Sequence, residues 1–543
     1  MSKAADLAKT STKAGFNYLW GLVISTIISS LGTIYIAILL GEAAYGLYGI
    51  VLTVPNLLFL FRDWGINNAI VRYTAQYKAE NRATEIRSIF ITGIIFEIAM
   101  GLILTLFSFF MAGYIADNIL NRPIAPLIQI ASFSILAGGL VSAAGSIFTG
   151  TEKTTYYSIM IICQSVIKTL LIVGLVMAGL GTTGAIVGFT ASLIIAGLVG
   201  MIFTIILYRQ LPQLPTYKLK IKEYFKEMIK YSAPLGILAI LSGVLAQFYL
   251  MTLSHFHSDN VLIGNYALAN TFIILISFFA VPINTLLFPA FSKLDIKKDQ
   301  LTLKNVFQYS TKYSALIVVP VTTLVMCLST PAVNTIFPGA YTLTPLFLTL
   351  LSISYLFAAI GNLSISNIIN SQGQTSLNLK LTILTATIAL PMGYFLIMHY
   401  NVFGLIFTSA VAPLPSLILS IVWVKKHYNL TIDWISSAKI LLSSAITAAL
   451  TYLLVTFIPL GDLTTTLTIS TYSIIIPHAA FTLTIGAVFY ILVLLGVLIL
   501  TKSLSIHDLN NLRSMTTGIG PITKILHLVL NNMEKIMKKL KLT

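Results

Sequence analysis

The stretch 18–40, YLWGLVISTIISSLGTIYIAILL, carries no charged side chain. A helix of about 20 apolar residues crosses the ~30 Å hydrocarbon core of a bilayer. Runs of this kind recur along the chain, at 18–40, 44–61, 88–112, 124–149, 155–178, 184–207, 232–254, 262–290, 310–330, 343–368, 377–398, 402–424, 438–458 and 478–500. Lipid offers no water to the backbone, so each run must satisfy its own N–H and C=O groups by forming a helix. The runs are continuous rather than alternating, which argues against a transmembrane barrel. Only 9% of the residues are charged and 57% are hydrophobic, whereas roughly a quarter of a soluble domain is charged. The sequence therefore predicts an all-α integral membrane protein with about 14 transmembrane helices.

Charge placement sets the orientation. An even number of spans puts both termini on one side. With that side cytoplasmic, 31 of the 33 lysines and arginines fall on inner segments, as the positive-inside rule requires. The exceptions are Arg122, which falls outside, and Lys168, which falls within a span. The expected location is the cell membrane, multi-pass, with both termini cytoplasmic. The net charge of +16 then faces anionic membrane lipids rather than nucleic acid. The first apolar run is too long for a signal-peptide core and reads as a retained helix. Cys163 and Cys327 lie in separate spans and suggest no disulfide framework.

Three features suggest an internal division. Gly46-Leu47-Tyr48 opens the second span and Gly264-Asn265-Tyr266 the eighth, 218 residues later. Gly150 in FTGTEKT and Gly373 in NSQGQTS end the fourth and tenth spans, 223 residues apart. Between them, 208–231 is rich in lysine and carries two prolines. The expectation is an N-lobe of six helices (1–207), a cytoplasmic linker (208–231), a C-lobe of six helices (232–424), two added helices (425–500) and a basic tail (501–543). Two such lobes in pseudo-twofold repeat are typical of alternating-access transporters. In the tail, Ile522, Ile525, Leu526, Val529, Met533, Ile536, Met537 and Leu540 recur at helical spacing among lysines. This pattern predicts an amphipathic helix on the inner membrane surface.

Several stretches resemble a known family. RDWGINNAIVRYTAQYKAENR (62–82) is similar to the second-helix loop of polysaccharide flippases. GNYALANTFIILISFFAVPINTLLFPAFSKL (264–294) is similar too, with Tyr266, Ala269, Pro289 and Ser292 in the matching places. Over roughly 10–425 the chain resembles the O-antigen/polysaccharide flippase branch of the multidrug/oligosaccharidyl-lipid/polysaccharide exporter superfamily. That resemblance implies movement of a polyprenyl-(di)phosphate-linked oligosaccharide to the outer leaflet through a cavity that opens alternately. It also implies a monomer, working alongside polysaccharide-assembly or glycosylation enzymes. The diphosphate and the hydrated glycan cannot cross lipid unaided, whereas the polyprenyl tail can stay in it. The first span lacks the arginine expected of the lipid II branch, which counts against a peptidoglycan precursor.

The candidate site residues are those that membrane physics disfavours. Lys168 costs about 2.5–3.5 kcal/mol at mid-span and is a functional candidate for that reason. Gln164 lies one turn earlier on the same face. Lys168 either meets the diphosphate or pairs with Glu97, the one acidic residue within a span. Glu97 lies about 14 Å and Lys168 about 20 Å along their outward-running helices, so long side chains bridge the gap. Arg62, Asp63 and Arg72 sit at the inner end of the second span, as cargo-phosphate contacts, ion-pair or coupling groups, or ordinary inner-side anchors. Asn56, Gln247, Asn270 and Asn284, with Asn17, Asn362 and Asn367, either line a glycan path or bond helices together. Pro55 and Pro282 are hinge candidates; Pro320 and Pro391 also fall in spans.

No metal site, cofactor or catalytic arrangement is expected. HFHSD (255–259) is too sparse for a metal site, and there is no phosphate-binding glycine loop for ATP. A same-fold rival is a cation-coupled multidrug exporter, which needs membrane carboxylates and finds only Glu97. A second rival is a polymerase or a non-transporting partner of polysaccharide assembly, for which the outer loops are short.

Overall fold

The computed structural model describes residues 3–212, 220–292, 294, 299–457, 465–469, 472–476, 478–516 and 522–539. The chain is helical almost throughout. In order the helices are α1 (Lys3–Asp63), α2 (Ile66–Ala79), α3 (Ala83–Tyr114), α4 (Ala125–Gly150), α5 (Thr154–Leu175), α6 (Gly181–Gln210), α7 (Ile221–Phe256), α8 (Asn260–Phe272), α9 (Ile274–Ser292) and α10 (Gln300–Cys327). There follow α11 (Ser329–Ile336), α12 (Thr344–Ser352), α13 (Asn362–Ser371), α14 (Thr375–Val411), α15 (Leu414–Tyr428), α16 (Trp434–Phe457), α17 (His478–Leu500), α18 (Ile506–Thr516) and α19 (Ile522–Lys539). Among the described residues, one small departure from helical structure lies between α16 and α17 in the sequence. There β1 (Thr465–Ile469) pairs antiparallel with β2 (Tyr472–Ile476), Thr465 opposite Ile476 and Ile469 opposite Tyr472. The Thr-rich β1 (TTLTI) and the Ile-rich β2 (YSIII) explain it, since β-branched side chains suit a pleated surface.

Among the described residues, ten helices are long and apolar enough to cross a membrane, or eleven with one bent pair, against the fourteen expected. The difference lies in three long stretches that the expectation divided. Trp20–Asp63 runs 44 residues, Thr154–Gln210 57 and Thr375–Tyr428 54. At 1.5 Å per residue each exceeds about 60 Å, twice the bilayer core. Each also contains a backbone break: Gly41 (φ 71°), Gly179 (φ 89°) with Gly181 (φ 49°), and Asn401 (φ 47°). Left-handed φ at glycine is cheap, so α1 turns at Gly41. Pro55 lies inside α1, and the break is not there. The bent pair, Thr344–Ile360 with Asn362–Ser371, turns by 58° at Gly361 (φ 80°).

Contact density divides the chain into two compact units, a different division from the one at 208–231. The first is Met1–Thr271 with Thr382–Ala412; the second is Phe272–Leu381 with Pro413–Thr543. In the first, Ile66, Ile70, Tyr73 and Tyr77 of α2 pack on Ile89 and Phe90 of α3 and Phe148 of α4. In the second, Phe291, Phe307, Ile365, Ile369 and Tyr428 form one core.

The tail belongs to the second unit. Asp508 of α18 is 1% exposed. It takes hydrogen bonds from Lys312 Nζ of α10 at 2.6 Å and from Ser505 Oγ at 2.7 Å. Arg513 of α18 pairs with Glu534 of α19. The amphipathic helix expected at 522–540 exists as α19. Its Leu530, Met533 and Met537 bury against Leu498, Ile499 and Leu509, while Leu528 and Ile536 stay exposed.

Candidate functional site

The single acidic residue expected within a span is buried and paired, though not with Lys168. Glu97 (α3) is fully buried and Arg62 (α1) is 5% exposed. Arg62 Nε lies 2.8 Å from Glu97 Oε2. The guanidinium also donates to the Ile135 carbonyl at 3.2 Å and to Ser142 Oγ at 3.0 Å, both on α4, and stacks over Phe59. Asn67 Nδ2 donates to Glu97 Oε1 at 2.8 Å, and Ser146 Oγ donates to Asn67 Oδ1 at 3.1 Å. Asp63 joins through its Oδ1, which accepts the Asn67 backbone N–H at 2.9 Å. The network thus ties α1, α2, α3 and α4 together.

Two glycines of α4 make room for it. A Cβ on Gly138 would lie 3.1 Å from Arg62 Nη1, and one on Gly139 3.1 Å from Glu97 Oε2. Arg62 is therefore drawn into the bundle rather than left as a surface anchor. This overturns the expected Lys168–Glu97 pairing. Depth along parallel helices made that pair feasible, but the small α4 residues bring Arg62 to the carboxylate instead.

Lys168 has a different setting. Its Nζ donates to Ser29 Oγ of α1 at 3.2 Å. Ser29 Oγ donates to Ser165 Oγ at 3.1 Å, and Ser25 Oγ lies 2.6 Å from Ser165 Oγ. The hydroxyls come from the interface between α1 and α5, where a Cβ on Gly32 would lie 2.1 Å from Thr169 Oγ1. Among the described residues no carboxylate lies within 4 Å of Lys168. Gln164 is half-buried one turn earlier.

The other candidates are not drawn to either cluster. Arg72 is exposed on α2, with its guanidinium 4.1 Å from the Tyr231 ring centroid. Asn56 and Gln247 are half-buried on α1 and α7. Asn270 is exposed and donates to the Tyr266 carbonyl of its own helix at 3.2 Å. The side chains of Asn17, Pro282 and Asn284 lie outside the described residues. A cavity of about 380 Å³ in the first unit is mostly aromatic and aliphatic, lined by Leu57, Val244, Phe248, Phe256 and Tyr394 among others. None of the sequence-selected residues lines it. His255 and His257 bond backbone carbonyls, and no group of three metal-ligating residues occurs among the described residues.

Comparison with known proteins now decides the family. The sequence model described as "Polysaccharide biosynthesis protein" matches residues 11–295. The chain belongs to that family. Among solved structures, the lipid II flippase MurJ in an inward closed conformation matches with TM-score 0.64 at 17% identity, covering 87% of this chain and 97% of that one. An inward-facing MATE-family multidrug resistance transporter of the MOP superfamily matches at 0.57 and 15% identity, covering 76% and 98%. A MOP superfamily transporter from Pyrococcus furiosus matches at 0.55 and 14%, covering 78% and 96%. These likenesses are of fold: the chain shares the fold of these transporters. An uncharacterized membrane protein of Methanocaldococcus jannaschii is 24% identical over 408 residues, which cover 72% of this chain and 80% of that protein.

This multi-pass polysaccharide-biosynthesis family member uses residues that sequence reasoning passed over. Asn67, Ser142 and Ser146 complete the Arg62–Glu97 network. The Asp63/Asn67 spacing of four, spanning Gly65, was the available signal for Asn67. Arg87, counted as an inner anchor, is buried and donates to the Tyr208 and Leu211 carbonyls at the end of α6, at 3.1 and 2.6 Å. Cations suit a helix C-terminus.

Proposed function

We propose that this protein is a transporter, not an enzyme, that flips a polyprenyl-(di)phosphate-linked oligosaccharide from the cytoplasmic to the outer leaflet by alternating access, for surface polysaccharide or glycoprotein assembly. One observation carries the reading. Glu97 is engaged by Arg62 at 2.8 Å, whereas the ammonium of Lys168 donates to the Ser29 hydroxyl and forms no ion pair among the described residues. A positive charge held at membrane depth without a carboxylate suits a phosphate-bearing lipid. The same pairing counts against the cation-coupled exporter, because the carboxylate that the hydropathy boundaries placed within a span is already engaged by Arg62. Family membership over 11–295 supports the cargo class.

On this reading Lys168 binds the diphosphate and Gln164 assists, while Asn56 and Gln247 contribute to the glycan path. The lobes are 1–207 and 232–424, joined at 208–231, with 425–500 and the tail 501–543 appended. The protein acts as a monomer in the cell membrane, with both termini cytoplasmic. It receives cargo from the enzymes that build the lipid-linked oligosaccharide.

Reconstitution in liposomes tests it. A labelled polyprenyl-diphosphate oligosaccharide is followed by its protection from an impermeant glycosidase. Protein-dependent translocation that Lys168→Ala reduces at least about tenfold, with an unchanged thermal midpoint, is expected; tenfold corresponds to about 1.4 kcal/mol. Absence of protein-dependent movement under proton or sodium gradients of either sign refutes the flippase. Movement that Lys168→Ala leaves intact refutes the role of the lysine.

A further inference from the structure

Arg122 is the one basic residue in a loop that the charge pattern assigns to the outer side, and it is buried, at 7% exposure. It lies just before α4 and reaches the junction of α7 and α8. Its Nε donates to Ser254 Oγ at 3.0 Å, one Nη to Asn260 Oδ1, and the other Nη to the His257 carbonyl at 2.9 Å. Neighbouring groups bond in both directions. Asn121 Nδ2 donates to the His255 carbonyl at 3.0 Å, and His255 Nδ1 donates to the Ile119 carbonyl at 2.8 Å. His257 Nε2 donates to the Ile397 carbonyl of α14 at 2.7 Å. Residues 119–122 belong to the expected N-lobe, and 254–260 and 397 to the expected C-lobe. At this end of the first compact unit the two halves are tied together.

A second feature, sharing Asn260 with the first, closes the same end. Gly46 and Gly264, the repeat-related glycines, meet backbone to backbone. A Cβ on Gly264 would lie 2.0 Å from the Glu42 carbonyl oxygen; one on Gly46 would lie 2.2 Å from the Asn260 carbonyl oxygen and 2.7 Å from Gly264 N. Asn265 Nδ2 donates to Glu42 Oε2 at 2.7 Å beside them. Asn260 serves both features, its side chain on Arg122 and its carbonyl against Gly46. The cavity of about 380 Å³ adjoins the clasp: Ile119 and His255, which bond each other there, line it, and so do Leu57 and Val244. Val244 is eleven residues before His255 on α7, about 16 Å along the axis.

We propose that Arg122 is the clasp that holds the outer gate closed, and that opening to the outer side requires it to release Ser254, Asn260 and the His257 carbonyl. The proposal rests on the alternating-access reading above. Its physics is that of a two-state element. When the gate is closed, the planar guanidinium satisfies three acceptors at once, which an ammonium cannot do in that geometry. When the gate opens, water takes over the same donors, so the desolvation penalty of the buried charge is relieved. The two states are thereby close enough in free energy to exchange, and the glycine seam sets how tightly the closed one fits.

The test needs no cargo. In a background with Cys163→Ser and Cys327→Ser, Val244→Cys is labelled in intact cells by a membrane-impermeant maleimide. Removing charge-assisted hydrogen bonds shifts such an equilibrium by about tenfold or more. Arg122→Ala is therefore expected to raise the labelling rate at least about tenfold, with Arg122→Lys and Ser254→Ala in between and Gly264→Ala moving in the same direction. Rates within about twofold of the parent in every folded variant overturn the clasp. Should Arg122→Ala fail to fold, Arg122→Lys and Ser254→Ala decide the matter by the same criterion. Unchanged labelling with intact liposome translocation overturns the clasp and leaves the flippase standing. Raised labelling without translocation supports the clasp and removes the flippase.

Discussion

Glu97→Gln keeps the size of the side chain and its contact with Asn67, and removes the charge that faces Arg62. The guanidinium left behind is 5% exposed. Its remaining oxygen acceptors are neutral, the Ile135 carbonyl and the Ser142 hydroxyl. Removing one member of a buried ion pair costs about 3–5 kcal/mol, because the other charge stays buried without compensation. In a cooperative unit this large, that corresponds to a fall of about 5–10 °C in thermal midpoint. Replacing both charges by apolar groups of similar volume, Arg62→Met with Glu97→Leu, is expected to stay within about 2 kcal/mol of the parent. Lys168→Ala loses one neutral acceptor contact to Ser29 and is expected to cost under about 1 kcal/mol. The assay is the midpoint of tryptophan fluorescence in detergent, checked by the monodisperse fraction after heating. Two outcomes refute the reasoning: a double variant whose loss equals the summed losses of Arg62→Met alone and Glu97→Leu alone, or Lys168→Ala lowering the midpoint as much as Glu97→Gln.

Two further outcomes follow from packing and charge. Gly32→Leu puts a side chain where Thr169 Oγ1 already stands, 2.1 Å from the would-be Cβ; it should cost about 1–3 kcal/mol and also reduce translocation, by prying α1 from the helix that carries Lys168. Burial alone would raise the Asp508 carboxyl, yet hydrogen bonds from Lys312 and Ser505 hold it below its ordinary value of 3.8. A depressed carboxyl stabilises above its unfolded value and loses that contribution as pH falls through its folded value. Limited proteolysis should therefore release the tail below pH 3.8 and not at pH 5–8, where aspartate is charged in either state; cleavage that is equal across this range would contradict the docked tail.

The membrane fold was legible because apolar runs of bilayer length admit few alternatives. The breaks inside the long helices were partly legible as well, since Gly41 and Gly179 fall at or beside the boundaries drawn from hydropathy. The partner of Glu97 was not legible. It depends on how closely α4 approaches, which Gly138 and Gly139 permit, and nothing in the sequence says which of several glycines carries a close contact. Arg122 stood out as a breach of the charge pattern, but its acceptors lie more than 130 residues away, two of them a hydroxyl and a carbonyl with no distinctive sequence. HFHSD looked like sparse metal ligands because histidines that bond backbone carbonyls leave the same letters behind. The strands before α17 escaped notice because five-residue runs such as TTLTI and YSIII read equally well as the edges of spans.

The link between Lys312 and Asp508 also bears on how the chain is made. The two residues are 196 positions apart. At roughly 5–20 residues per second, about 10–40 s separate their synthesis. Through that interval the ammonium of α10 waits without the carboxylate that will hold it, while five later membrane-length stretches, two of them in Thr375–Tyr428, are threaded. Arrival of α18 is thus a late event that marks the second unit as finished. A ribosome that stops early leaves a chain with its spans inserted and the Lys312 ammonium without its Asp508 partner, the kind of defect that a membrane protease can read.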